Sequence, residues 1–134
     1  MKLSTRGRYG LMAMHCLANH YGNGPLSIAS IAEKENLSMP YLEQLFARLK
    51  QHQLVRSLRG AQGGYVLTRP PEEISIGAII DALEGELSFT CDGGSQERCE
   101  RRDDCSTFSI LDEIQCKVDE VLASISLADM DGSP

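Results

Sequence analysis

The chain has no apolar run of 18 or more residues, so no stretch of it can cross a bilayer as a helix. It also has no P-loop, no dinucleotide-binding glycine pattern and no motif of a catalytic triad. These gaps remove the common routes to nucleotide and hydrolytic chemistry. No internal repeat is present. The cysteines number five, and an odd set cannot form a complete disulfide framework. Positive charge is not in excess either. The formal net charge of −6 argues, taken alone, against a nucleic-acid partner. The opening "MKLSTRGRYGLMAMHCLANH" sets basic residues before an apolar stretch, as a leader would. Its apolar residues, however, fall on a helical stripe interrupted by His15, Asn19 and His20, so it reads as a mature amphipathic helix. A cytoplasmic location is the expectation, and with it reduced thiols.

What is present is uneven. The 134 residues suffice for one domain with a real core and a helical appendage. Residues 1–69 hold nine Lys/Arg against three acids, a net +6. Residues 70–134 hold four against sixteen, a net −12. A basic half can meet a polyanion while an acidic half faces away from it.

Periodicity supplies the elements. Tyr9, Met12, Ala13, Cys16 and Leu17 make one apolar face of a helix over residues 5–20. "YGNGPL" breaks it. Ser27 can cap a short helix that turns Ile28, Ile31 and Ala32 inward and stops at "ENLS". Ser38 is a natural N-cap for the next helix, with Pro40 in the first turn, where its missing N–H costs nothing. That helix carries Tyr41, Leu42, Leu45, Phe46 and Leu49 as its apolar positions and ends near His52. Two helices joined by so short a turn form a helix-turn-helix pattern, a weak signal alone. The period then switches. Residues 54–58 and 65–68 are β-prone runs around a glycine-bearing turn, a hairpin with Arg56, Arg59 and Arg69 on or beside it. A basic hairpin directly after a helix-turn-helix reads as the wing of a winged helix.

"EISIGAIIDALEGEL" predicts a further helix, apolar at Ile76, Ile79, Ile80 and Leu83 and stopped by Gly85. A polar stretch with Cys91, Cys99 and Cys105 follows. A long helix over residues 106–126 then spaces Leu111, Ile114, Val118, Val121 and Ile125 by three, four, three and four, a heptad seam. Little other core remains in this half, so the seam is expected to pair with a second copy. The fold class is mainly α with a small β-hairpin. The expected layout is a winged helix-turn-helix over 1–84, a cysteine-bearing loop over 85–105, a dimerisation helix over 106–127 and a disordered tail over 128–134.

"MKLSTRGRYGLMAM", "SMPYLEQLFARLKQHQLVRSLRGAQGGYVL" and the three-cysteine stretch before a long helix together resemble the Rrf-two family of bacterial transcription regulators, most closely its iron–sulfur members of IscR and NsrR type. The likeness covers about residues 1–126. It implies a homodimeric winged helix-turn-helix repressor or activator of double-stranded DNA. Operator affinity or choice would depend on a cluster held in the cysteine loop.

On this reading the recognition helix offers Ser38, Met39, Tyr41, Glu43, Gln44 and Arg48. Gln44 can pair bidentately with adenine, whereas Glu43 can accept from cytosine N4 and repels the acceptor-rich edge of guanine. The resemblance implies for Glu43 a part in choosing between operator classes; the plainer alternative is a surface salt bridge. Arg59 and Gln62 sit in the wing turn, where an arginine can enter a narrow minor groove. Lys2, Arg6, Arg8, Arg48, Lys50 and Arg56 would mostly contact phosphates, which set register without reading sequence. A two-fold dimer implies a pseudo-palindromic operator.

The cysteine gaps of seven and five residues do not match the C-x₂₋₄-C of most zinc sites. Spacing alone leaves an iron–sulfur cluster, zinc and a metal-free thiol switch open. The resemblance implies a cluster on Cys91, Cys99 and Cys105, with [2Fe-2S] favoured over [4Fe-4S]. The fourth ligand is unknown. IscR-like relatives often carry a histidine three residues after the last cysteine, where this chain has Phe108. NsrR-like relatives use a first-helix residue of the partner subunit, a region that here offers Arg8 and Met12. Cys16 is expected to be a buried small residue and Cys116 to lie exposed off the seam. A small redox or cluster-carrier protein that never meets DNA is the alternative from another class, opposed by the charge split and the wing.

Overall fold

A computed structural model describes residues 4–61, 63–85 and 106–130. Its order is α1 (Thr5–Asn19), α2 (Ile28–Glu35), α3 (Met39–Gln51), β1 (Val55–Leu58), β2 (Gly64–Leu67), a 3-10 turn (Pro71–Glu73), α4 (Ile76–Glu84), α5 (Phe108–Ser124) and a second 3-10 turn (Leu127–Met130). The architecture is mainly helical with one two-stranded antiparallel hairpin, as the pattern predicts.

Local chemistry sets the helix starts. Ser27, Ser38 and Ser75 each accept a hydrogen bond from the backbone N–H three residues on, filling one of the donors a helix N-terminus leaves open. Helix α2 stops where Asn36 enters the left-handed region at φ 56, a conformation asparagine tolerates better than most residues. Helix α1 is different. The side chain of its N-cap Ser4 makes no capping bond to its own first turn. Instead Ser4 Oγ donates to Glu84 Oε1 at the far end of α4, and the Gly7 N–H donates to the same oxygen at 2.8 Å.

The core lies between α1, α2, α3 and α4. Met14, Ile31, Leu42, Leu45, Phe46, Leu49, Ile79 and Leu83 are fully buried there. Phe46 stacks on Tyr65 of β2 with ring centroids 4.6 Å apart, joining the helices to the hairpin. The hairpin pairs Val55 with Leu67 and Leu58 with Gly64. Leu26 bridges to Tyr65 through two backbone hydrogen bonds of 2.9 and 3.0 Å, fixing the wing to the α1–α2 connection.

The C-terminal part departs from expectation. Helix α5 ends at Ser124, and Ile125 is already extended. Ile76 N–H donates to Ile125 O at 2.8 Å and Leu127 N–H to Ile74 O at 2.7 Å, which carries Leu127 into the core with no exposed surface. The dimerisation helix expected over 106–127 is therefore shorter. Ala128, Asp129 and Met130, expected in a disordered tail, form a turn anchored by Leu127; residues 131–134 lie outside the described residues. Helix α5 approaches α4 closely because Gly77 has no side chain where Leu122 sits. No α5 residue is buried. The expected seam is split: Leu111 and Val118 are half-buried, whereas Ile114, Val121 and Ile125 are exposed together with Ile110.

Candidate nucleic-acid interface

Helix α3 buries Leu42, Leu45, Phe46 and Leu49, so the 3.6-residue period turns the opposite face outward. That face carries Met39, Glu43, Gln44, Ala47 and Arg48, all exposed, in one continuous ridge. The ridge holds four of the residues expected to read bases or phosphates. Ser38, at its start, is exposed and accepts from the Tyr41 N–H at 3.3 Å. Among the described residues Glu43 is in no ion pair, so the surface salt bridge weighed for it is not formed there.

Tyr41 has a different setting from its neighbours. Its ring is half-buried and meets Tyr9 edge-on, centroids 6.0 Å apart at 84°. Its hydroxyl donates to Thr5 Oγ1 at 3.3 Å. The side chain therefore docks the start of α3 onto α1.

The wing lies next to α3 in sequence and is tied to it in space. Lys50, in the last turn of α3, donates from Nζ to Ser57 Oγ on β1 at 3.2 Å. Lys50 is expected at a phosphate from its place in the sequence, and no local pattern signals its link to a residue on the following strand. Arg56 on β1 and Arg59 after it are exposed and in no ion pair among the described residues. The wing turn closes with the Gly63 N–H donating to Gly60 O at 3.0 Å, and Gly60 takes φ 116, open to glycine alone at little cost. Gln62 and Lys2 lie outside the described residues.

Cys91, Cys99 and Cys105 also lie outside them. The other two cysteines fall as expected, Cys16 buried and Cys116 exposed. Cys16 donates from Sγ to Glu35 Oε1 at 3.2 Å. Burial, then that hydrogen bond and the Glu35 charge, push its thiol up to about 11, so it stays protonated at neutral pH and is a poor ligand. Phe108 opens α5 with a ring that cannot bind a metal. Among the described residues no three His, Cys, Asp or Glu side chains gather into a metal-holding group.

The family model for Rrf2, described as an iron-dependent transcriptional regulator, matches residues 3–131. The HTH-type transcriptional regulator IscR of Sodalis glossinidius is 40% identical over 131 residues, 97% of this chain and 78% of that protein. Among solved structures, IscR of T. potens superposes with a TM-score of 0.77 at 47% identity, covering 99% of this chain and 89% of that one. CymR (YrzC), the global cysteine regulator of B. subtilis, does so with a TM-score of 0.76 at 43% identity, covering 97% and 95%.

Proposed function

This chain belongs to the Rrf2 family of DNA-binding transcription regulators, and from that premise we propose a homodimer whose operator binding is governed by an iron–sulfur cluster on Cys91, Cys99 and Cys105. The observation that carries the DNA half of this reading is the exposed ridge of α3, with Glu43 free of any ion pair among the described residues and the basic wing tied alongside by Lys50. Residues 1–84 act as the reader, residues 85–105 as the sensing loop and α5 as the contact between two copies.

Each reader enters a major groove through α3. Gln44 suits adenine. Glu43 accepts from cytosine N4 and penalises guanine and phosphate, so it selects among sites and does not add general affinity. Ser38, Met39 and Arg48 flank them, Arg48 toward the backbone. Arg59 reaches from the wing turn toward the minor groove and Arg56 toward phosphate, with Gln62 a further contact by its place in the sequence. Two copies related by a two-fold axis read half-sites about one helical turn apart. Affinity should fall steeply with salt, as it does when several cations displace counterions.

When bound, the cluster would supply a centre sensitive to oxidant, nitric oxide and iron supply. The chain's own contribution is a set of three thiolates, with Phe108 excluded as the fourth donor and Cys16 held protonated against Glu35. A metal-free thiol switch is the second reading. It is favoured by one observation, the carbon ring of Phe108 where a fourth donor is sought.

Anaerobic purification, an absorption spectrum and assays for iron, sulfide and zinc separate these readings, followed by operator binding with and without the metal. The expected protein is coloured, with matched iron and sulfide and DNA binding that changes on cluster loss. A colourless, iron-free protein that binds its operator regardless of redox state overturns the cluster reading.

A further inference from the structure

We propose that Glu84 is a positioning residue for DNA recognition: it clamps the N-terminus of α1, and α1 in turn seats the start of the recognition helix. Three links run in series. Glu84 Oε1 accepts from Ser4 Oγ and from the Gly7 N–H at 2.8 Å, so a carboxylate from 77 residues away caps a helix whose own N-cap serine does not. A negative charge is favoured there by the open N–H groups of the first turn. The Ser4 hydroxyl foremost, then the Gly7 N–H, and Arg6 more remotely, hold the Glu84 carboxyl below the usual carboxylate range. One turn of α1 then holds α3, through Thr5 Oγ1 to the Tyr41 hydroxyl at 3.3 Å and Tyr9 edge-on to the Tyr41 ring. Finally, the Tyr41 N–H donates to the Ser38 cap, and Glu43 lies two residues further along the same helix.

Glu84 is the last residue of α4. Gly85, at φ 82, follows it and leads in sequence to the cysteine-bearing segment. A displacement of α4's end would pull on the α1 cap and so on the seat of Tyr41. The DNA part of this inference needs only the helix-turn-helix; its regulatory part rests on the proposed cluster reading.

A double-mutant cycle on the full-length protein tests it, with Glu84→Ala, Tyr41→Phe and the pair, alongside Glu84→Gln. Operator affinity and thermal unfolding are both measured. Glu84→Ala should weaken operator binding roughly ten-fold, and adding Tyr41→Phe should weaken it little further, because both changes cut one series of contacts. Glu84→Gln keeps an oxygen that accepts both bonds and should restore most of the affinity. Independent, additive losses in affinity overturn the proposal, as does a Glu84→Ala affinity within two-fold of the parent. A loss explained wholly by the unfolded fraction overturns it too. Should Glu84→Ala not fold, the cycle is read with Ser4→Ala, which removes one of the two donors to Glu84, against Tyr41→Phe, where additivity has the same meaning. An iron-free parent protein would end the cluster reading yet leave this cycle fully readable.

Discussion

Helices α3 and α5 are both amphipathic, yet they resolve their apolar faces differently. Helix α3 buries four large side chains within its own copy and turns a polar ridge outward. Helix α5 buries none, and Ile110 and Val121 remain more than half exposed. Burial near 25 cal/mol per Å2 drives both faces toward cover, and α3 already has it. The first helix thus belongs to a finished domain that can present chemistry. The second belongs to a surface left uncovered within one copy, which the proposed two-fold dimer would close. Charge follows the same division, +6 through residue 69 and −12 beyond it. On the proposed function the acidic part would carry the contact between copies while the basic part faces DNA.

The largest effect that would break this contrast lies in the finished half. Phe46 is fully buried and stacked on Tyr65, so Phe46→Ala should cost about 3–5 kcal/mol of unfolding free energy. Chemical denaturation measures it; a loss under 1 kcal/mol would mean that the core is not organised around this ring. In the unfinished half the equivalent change should spare the fold and strike assembly. Val121→Asp puts a charge in the exposed stripe. It should shift sedimentation toward the single copy and weaken operator binding by roughly 100-fold, the scale lost when two linked half-site contacts become independent. A dimeric Val121→Asp protein would remove α5 from the interface.

Glu43→Ala tests the ridge of α3 and should act more gently. It is expected to relax base preference by about 1–3 kcal/mol at one operator position. Binding to unrelated DNA should rise slightly, because a negative charge leaves the phosphate-facing surface. Competition among operators varied one base at a time reads both effects. An unchanged preference profile would return Glu43 to the role of a solvated surface acid.

The same contrast marks how far the sequence could be read. Helix α3 was legible because its signals are local: a serine cap, a proline in the first turn and a 3.6-residue stripe. The wing was legible from a change of period around glycines. Leu127 was not. It follows a heptad and precedes an acidic tail, and only a bridge to residues near 75 shows why the helix stops and the chain returns to the core. The Glu84 cap was likewise hidden, since its partners stand 77 and 80 residues away and no periodicity spans that distance. Tyr41 was half legible. It lies on the right helix at the right end, but its ring is turned to Tyr9, a contact between helices that a pattern on one helix cannot reveal. Elements came from neighbours in sequence; the links that set their angles came from pairs far apart.

The smallest effect separates two cysteines on the two helices most unlike in burial, α1 and α5. Cys16 sits in the core with its thiol bonded to Glu35 and pushed up to about 11 from 9.0. Cys116 is exposed on α5. Only the thiolate attacks, so an alkylating reagent at pH 8 should label Cys116 readily, whereas Cys16 should react only as fast as the domain opens. Site-resolved mass spectrometry distinguishes them. The pH dependence has a definite sign. The folded protein holds the Cys16 proton more tightly than the unfolded chain, so this contribution to stability is complete below about pH 9 and is lost as pH rises toward about 11. Cys16→Ala should remove that alkaline slope while costing about 1 kcal/mol at neutral pH. Equal labelling rates at the two sites would show that the first helix is not sealed by its neighbours. The domain could not then hold a recognition helix steady while the rest of the molecule responds.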